Sequence, residues 1–265
     1  MQKEIYRLML IHGFKPNHKL DQNFIIDKNS ISKVIETIKP NKEETVLEIG
    51  PGLGFVTKEL LKVFKKVIAI EKDPIMVEIL KKEYPDKNLE IIHSDFLEVD
   101  LSKLKFDKIV GFIPYSISLK IIDKIIATKP ACLVVQKEFA EKLVAYEGFA
   151  NYVSISVLLQ SHSDIKNIRN IRKASFFPKP KVDSSIVSII PKKNTKVDDN
   201  YNQFIKNIFR YPNKDIVNSF KHSNSENKEI ISLDKIKLIP EKLQTKKVKQ
   251  ISVKEFEKIY NLIKK

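Results

Sequence analysis

The stretch "TVLEIGPGLGFVTKEL" (residues 45–60) changes character halfway. Val46, Leu47 and Ile49 form the short apolar run of a buried strand, while Val56, Leu60 and Leu61 recur at helical spacing. Between them Gly50, Gly52 and Gly54 alternate with larger residues. Lacking a Cβ, they let the chain turn tightly and let a ligand approach the backbone. The same strand-then-helix texture continues on both sides. "KVIAIE" (66–71), "LEIIHSD" (89–95), "DKIVGF" (107–112) and "ACLVVQK" (131–137) read as strands. "ISKVIETI" (31–38, stopped by Pro40), "PIMVEILKKEY" (74–84, with Pro74 in its first turn) and "LKIIDKIIAT" (119–128) read as helices. Strands separated by helices predict an α/β fold, a Rossmann-like, doubly wound parallel sheet.

Past residue 150 the texture shifts. "YVSISVLLQ" (152–160), "DIKNIRNI" (164–171) and "DSSIVSIIP" (183–191) are rich in Ile, Val and Ser and read as strands that extend the sheet with an antiparallel edge. The polar "KKNTKVDDN" (192–200) reads as a linker, followed by helical patterns in "YNQFIKNIFR" (201–210) and "VKEFEKIYNLIKK" (253–265). The expected organisation is therefore residues 1–193 as the Rossmann-like domain and 194–265 as a small α-helical C-terminal domain.

The formal net charge of +15 over 265 residues suits a polyanionic partner, most simply nucleic acid; a solvated, Lys-rich surface is the alternative reading. No basic helix with a broad apolar face points to a membrane surface. Cys132, the one cysteine, lies inside an apolar run, which argues against disulfides and against a nucleophilic role. The five histidines have no metal-ligand spacing, so no metal is expected. "MQKEIYRLMLIHGF" (1–14) lacks the pattern of a signal peptide, and a cytoplasmic location is expected.

In such a sheet ligands bind beyond the carboxyl ends of the strands, at the switch in strand order. Glu48 and the glycine turn follow the first strand, Glu71, Lys72 and Asp73 the second, Ser94, Asp95 and Phe96 the third, and Phe112, Ile113, Pro114 and Tyr115 the fourth. The dinucleotide pattern G-x-G-x-x-G fails: counted from Gly50 its sixth position is Phe55, and counted from Gly52 it is Thr57. No lysine stands where a phosphate-cradling loop needs one. An acid at the end of the second strand, about 20 residues beyond the glycines, suits ribose hydroxyls. Asp95 suits an exocyclic amino group, and Phe96 an apolar wall. Together they predict an adenosine that carries something other than phosphate, and S-adenosylmethionine is the cofactor that fits.

Taken together, "LDQNFIID" (20–27), "LEIGPGLG" (47–54), "EKD" (71–73), "SDF" (94–96), "FIPYSIS" (112–118) and "SFFPKPKVDSSIV" (175–187) resemble the ribosomal RNA adenine N6-dimethyltransferases, with an archaeal flavour in the basic "RYPNK" (210–214). The resemblance implies a methyltransferase domain with a helical appendage. It implies successive methyl transfers to two adjacent adenines near the 3′ end of small-subunit rRNA during ribosome biogenesis. It places Asn23 and Ile25 at the methionine end of the cofactor, Gly50 and Gly52 along it, Glu71 on the ribose and Asp95 on the adenine. Glu48, Lys72 and Phe96 are counted with this cofactor set. At the target base it implies that Tyr115 stacks on the adenine, Pro114 sets the turn, a carbonyl at Phe112 or Ile113 accepts an N6 hydrogen, and Phe177 forms the far wall. One position departs from the family pattern: Phe112 stands where an Asn supplies a second acceptor. Two alternatives follow, a catalytically weakened or non-enzymatic assembly factor for the small subunit, and a large-subunit rRNA adenine methyltransferase. The expected partner is the maturing small subunit or its rRNA, with no membrane, and a monomer is the default expectation.

Overall fold

A computed structural model describes residues 1–193, 197–226 and 233–264. Nine strands occur among the described residues: β1 Phe24–Ile25, β2 Thr45–Ile49, β3 Lys66–Glu71, β4 Leu89–His93, β5 Lys108–Phe112, β6 Ala131–Gln136, β7 Ser163–Ile171, β8 Phe176–Phe177 and β9 Ser184–Pro191. Seven of them form one sheet in the order β4-β3-β2-β5-β6-β9-β7. The pairs β4/β3, β3/β2, β2/β5 and β5/β6 are parallel, and β9 runs antiparallel to β6. The chain builds outward from β2 in one direction, then returns to β2's other side with β5. The switch in strand order therefore lies between β2 and β5, where a crevice opens at the carboxyl ends.

The helices are α1 Gln2–His12, α2 Lys28–Ile38, α3 Phe55–Leu60, α4 Pro74–Glu83, α5 Ser118–Ile125, α6 Lys137–Leu143, α7 Ser154–His162, α8 Asp199–Ile208, α9 Ile216–Glu226, α10 Glu241–Gln244 and α11 Val253–Ile263. Local chemistry starts and stops them. Asp27 caps α2 by accepting from the Asn29 N–H (3.1 Å), and α2 ends at Lys39 in a left-handed conformation before Pro40. Asp73 caps α4 by accepting from the Ile75 N–H (2.9 Å), with Pro74 in the first turn. Ile31, Val34 and Ile38 of α2 and Val56 and Leu60 of α3 pack with Val46, Val67, Val110, Val134 and Ile186, alternate residues of one sheet face.

Contacts divide the chain into two units, Met1–Ala140 with Lys166–Ile190, and Glu141–Ile165 with Pro191–Lys265. The second unit is built on aromatic rings. Tyr201 meets Tyr260 at 5.2 Å, Phe209 meets Phe256 at 5.6 Å, and Tyr152 meets Phe209 at 5.8 Å between ring centroids. The capping box of Ser252 and Glu255 starts α11. This unit takes in residues 141–165 as well as the C-terminal stretch, because Tyr152 and α7 pack with α8 and α11; the Ser161 and Tyr201 hydroxyls, for example, lie 2.9 Å apart. The boundary expected at 193/194 adjoins residues 194–196, which lie outside the described residues.

One reading of the sequence is corrected. "YVSISVLLQ" is not a strand: Ser154–His162 is the helix α7. Ile155, Ser156, Val157, Leu158, Leu159, Ser161 and His162 are all buried, so the segment is apolar on every side and shows no helical stripe. An alternating Ile/Val/Ser run of that length cannot be told from a strand by periodicity. No helix among the described residues is long and apolar enough to cross a membrane.

Candidate active site and cofactor cavity

A cavity of about 220 Å³ opens over the carboxyl ends of β2, β3 and β5 and the turn after β4. It gathers most of the residues singled out by sequence: Asn23, Ile25, Glu48, Gly50, Gly52, Glu71, Lys72, Asp95, Phe96, Phe112 and Pro114 all line it. Ile113, Tyr115 and Phe177 do not line it and sit beside it or behind it.

The turn Gly50–Gly54 is the floor. Gly52 has φ +54°, and a Cβ there would lie 3.2 Å from the Phe24 ring. Gly54, at φ +76°, faces a tighter limit, because a Cβ there would overlap the Tyr84 ring and Leu80. The Gly52 N–H donates to Glu71 Oε2 (3.1 Å) and the Asp73 N–H to Oε1 (2.8 Å). Burial pushes the Glu71 carboxyl pKa up, and these N–H groups oppose the shift by bonding the charged form. Each oxygen keeps a lone pair for a ligand hydroxyl. Beneath the turn, Glu48 is fully buried and accepts from Thr57 Oγ1 at 2.6 Å. Burial raises its pKa to about 8, with the Thr57 hydrogen bond opposing and the Glu71 charge adding. Glu48 therefore supports the floor as a hydrogen-bonded group.

Asp95 accepts from Lys72 Nζ (2.7 Å) and from the Leu97 N–H (2.9 Å). The Lys72 ammonium, and then the Leu97 N–H, hold its carboxyl below the usual range. Phe96 is buried beside it. Acceptors therefore dominate this end, as a ligand bearing hydroxyls and an amino group requires. Glycines that leave room above the floor complete the fit to a nucleoside, so the cavity suits S-adenosylmethionine.

On the far side Phe112 turns its ring edge-on to Phe176, with centroids 6.4 Å apart. Its carbonyl oxygen lies 3.9 Å from where a Gly50 Cβ would stand, so that carbonyl faces the glycine turn. Ile113 is buried and its N–H donates to the Val134 carbonyl (3.2 Å), which fixes the end of β5. Pro114 leads into a single 3₁₀ turn, Tyr115–Ile117. The Tyr115 hydroxyl lies 2.5 Å from Ser184 Oγ at the buried start of β9. Burial raises the Tyr115 phenol pKa, the Ser184 bond opposes this, and the Asp21 charge adds to it. Phe177 pairs with Phe24 across β8 and β1 and meets Tyr6 edge-on at 5.1 Å, and it packs against the cluster around Phe24 and α1.

Reasoning from sequence did not single out Asp21, Gln22 or Ser116, which tie the cavity together. Asp21 Oδ2 accepts from the Ser116 N–H (2.9 Å) across 95 residues of chain. Gln22 Nε2 donates to Asp73 Oδ2 (2.6 Å), and Asn23 Nδ2 to the Asp21 carbonyl (2.9 Å). One short segment thus reaches both Asp73, two residues beyond Glu71, and the turn that carries Tyr115. The polar "DQN" leads directly into the apolar Phe24-Ile25-Ile26, but nothing local marks its distant hydrogen bonds.

A parallel sheet in this order, with a glycine turn after the first long strand and an acid at the tip of the next, defines an S-adenosylmethionine-dependent methyltransferase. The sequence profile of the family described as "Ribosomal RNA adenine dimethylase" matches residues 13–265, and this chain belongs to that family. The chain is 38% identical over 225 residues to the "Probable ribosomal RNA small subunit methyltransferase A" of Pyrococcus abyssi, covering 84% of this chain and 82% of that one. It is 35% identical over 256 residues to the "Ribosomal RNA small subunit methyltransferase A" of Mycoplasma capricolum, covering 91% and 95%. Among solved structures, a dimethyladenosine transferase from Plasmodium falciparum superposes with a TM-score of 0.77 at 29% identity, over 90% of this chain and 97% of that one. The 23S rRNA methyltransferase ErmE shares the fold, with a TM-score of 0.67 at 22% identity over 92% and 100%.

Proposed function

We propose that this protein methylates N6 of two adjacent adenines near the 3′ end of small-subunit ribosomal RNA, as a cytoplasmic monomer acting on the maturing subunit. The observation that carries the reading is the cavity itself: Glu71, the glycine turn, Asp95 and the Phe112–Pro114 strand end converge on one volume. When bound, S-adenosylmethionine supplies an electrophilic methyl on its sulfonium.

The residues hold and orient. Glu71 takes the ribose hydroxyls and Asp95 the cofactor's adenine amino group. Asn23 and Ile25 border the methionine end. Adenine N6 is a weak nucleophile because its lone pair is delocalised into the ring, and acceptors on its hydrogens draw that pair out of conjugation. The Phe112 carbonyl is one such acceptor. Tyr115, anchored through Ser184, offers a ring for the base to stack on, worth roughly 1–3 kcal/mol. The base must leave its stack to reach it. Most of the acceleration on this account comes from positioning.

Phe112 favours a second reading in one respect. A phenyl ring accepts no hydrogen bond from N6, so turnover is slower than with an Asn there and docking on the subunit gains weight. Titration with S-adenosylhomocysteine in a calorimeter tests the cofactor part. Saturable one-to-one uptake, weakened by Glu71→Ala, is expected; no uptake by the folded protein contradicts it.

A further inference from the structure

Tyr146 and Phe149 are 67% and 63% exposed, among the largest apolar exposures in the protein. They are held there by a built turn. The Phe149 N–H donates to the Tyr146 carbonyl (3.3 Å), and Gly148 between them has φ +89°, the left-handed value that the third position of a type II turn requires. The Gly148 N–H donates to the Lys249 carbonyl at 2.7 Å. Downstream, the Tyr152 N–H donates to the Phe149 carbonyl (3.2 Å), and Tyr152 is itself buried with its hydroxyl on the Ile251 carbonyl (3.0 Å). Asn151 Nδ2 donates to the Glu141 carbonyl (3.1 Å). The backbone is thus pinned on both flanks while two rings stand in water. Burying either ring would stabilise the fold by roughly 1.5–3 kcal/mol, so a fixed turn that exposes both is an arrangement in need of a partner.

The surroundings say which. The turn rests on Lys249, whose N–H donates to the Pro212 carbonyl (3.1 Å), and the Val248 N–H donates to the Lys214 carbonyl (3.0 Å). Lys247 and Lys249 therefore run beside Pro212–Asp215, a lysine-rich strip next to the aromatic turn in which Asp215, bridged to Lys247, is the one acid. The acids along the turn segment are Glu141 and Glu147. Paired rings beside a lysine strip match single-stranded nucleic acid, in which bases stack and phosphates meet ammonium groups. We propose that Tyr146 and Phe149 form a base-stacking platform for unpaired nucleotides of the rRNA substrate. This rests on the proposed rRNA reading and adds to it a contact made by the second unit.

The test measures binding of protein-free, unmodified small-subunit rRNA, and of whole subunits, by the wild type and by Tyr146→Ala/Phe149→Ala. Wild-type binding and methyl transfer report on the parent reading, and their absence removes both readings together. With the parent reading intact, the double variant is expected to bind protein-free rRNA about 5- to 100-fold more weakly. Its thermal midpoint and S-adenosylhomocysteine affinity should be unchanged, as should the slope of log affinity against log salt, since stacking releases no counterions. Tyr146→Phe, which keeps both rings, should bind as the wild type does. Lys247→Gln/Lys249→Gln should instead flatten that slope by roughly 1.4, about 0.7 for each contact. Equal affinity of the double variant and the wild type for protein-free rRNA overturns the platform. A loss seen only with whole subunits also overturns it, since it would assign the rings to a ribosomal protein.

Discussion

At Phe112 the cavity wall offers a phenyl ring, and the acceptor facing the glycine turn there is its own carbonyl. Placing a side-chain oxygen there with Phe112→Asn should raise the rate of methyl transfer by about 5- to 150-fold, the equivalent of one hydrogen bond of roughly 1–3 kcal/mol. Phe112→Leu, which removes the ring and adds no acceptor, should not raise it. A fall with Asn would show that the ring has its own part in holding the base. Asp21 can be separated from the fold by its partner. Asp21→Ala should speed hydrogen exchange of the Ser116 amide and lower turnover, with S-adenosylhomocysteine affinity within about two-fold of wild type, while Asp21→Asn, which keeps an acceptor oxygen, should recover most of both. Unchanged Ser116 exchange in the alanine variant would contradict this. Glu48 makes stability depend on pH. Its pKa is raised from 4.5 to about 8 in the fold, so between those values the folded state holds a proton that the unfolded chain has lost. Its contribution is thus present at low pH and lost as pH rises through about 8. The midpoint of Glu48→Gln should fall less than wild type between pH 5 and pH 8, and parallel curves would refute it.

At the scale of elements, the parallel strands were legible because each is a short apolar run ended by polar or glycine residues. "KVIAIE" is β3, and "ACLVVQ" is β6. The turn that follows β2 was legible for the same reason that it is needed: Gly52 and Gly54 hold conformations that side chains avoid. Gly54→Ala should destabilise the protein by roughly 2–4 kcal/mol, combining left-handed strain with overlap on Tyr84 and Leu80. A melting midpoint equal to wild type would contradict this. The elements that were missed depend on distant partners. β1 and β8 are two residues each and exist through their mutual pairing, Phe24 with Phe177 and Ile25 with Phe176. α7 is buried all round and so lacks the stripe that marks a surface helix. Likewise, Glu71 and Asp95 announced themselves by following strands, whereas Asp21 acts through a hydrogen bond 95 residues away that no local pattern reports.

At the scale of the whole molecule, a formal charge of +15 calls for affinity that falls steeply with salt, because phosphate contacts by Lys and Arg release counterions. Binding to small-subunit rRNA should weaken by at least about ten-fold between 50 and 200 mM salt if three or more such contacts form. Affinity that does not change over that range would mean the charge serves only solubility. The two units share this demand, since the first brings the cavity and the second the basic strip of Lys214, Lys247 and Lys249.

Methyl transfer to adenine N6 is tested by following the methyl group itself. Unmodified small and large subunits are incubated separately with this protein and isotopically labelled S-adenosylmethionine, and the rRNA is then digested and its nucleosides and short fragments read by mass spectrometry. Label is expected on N6 of two adjacent adenines near the 3′ end of the small-subunit rRNA. Label on another base or on large-subunit rRNA, or none at all although the cofactor is bound, would contradict it.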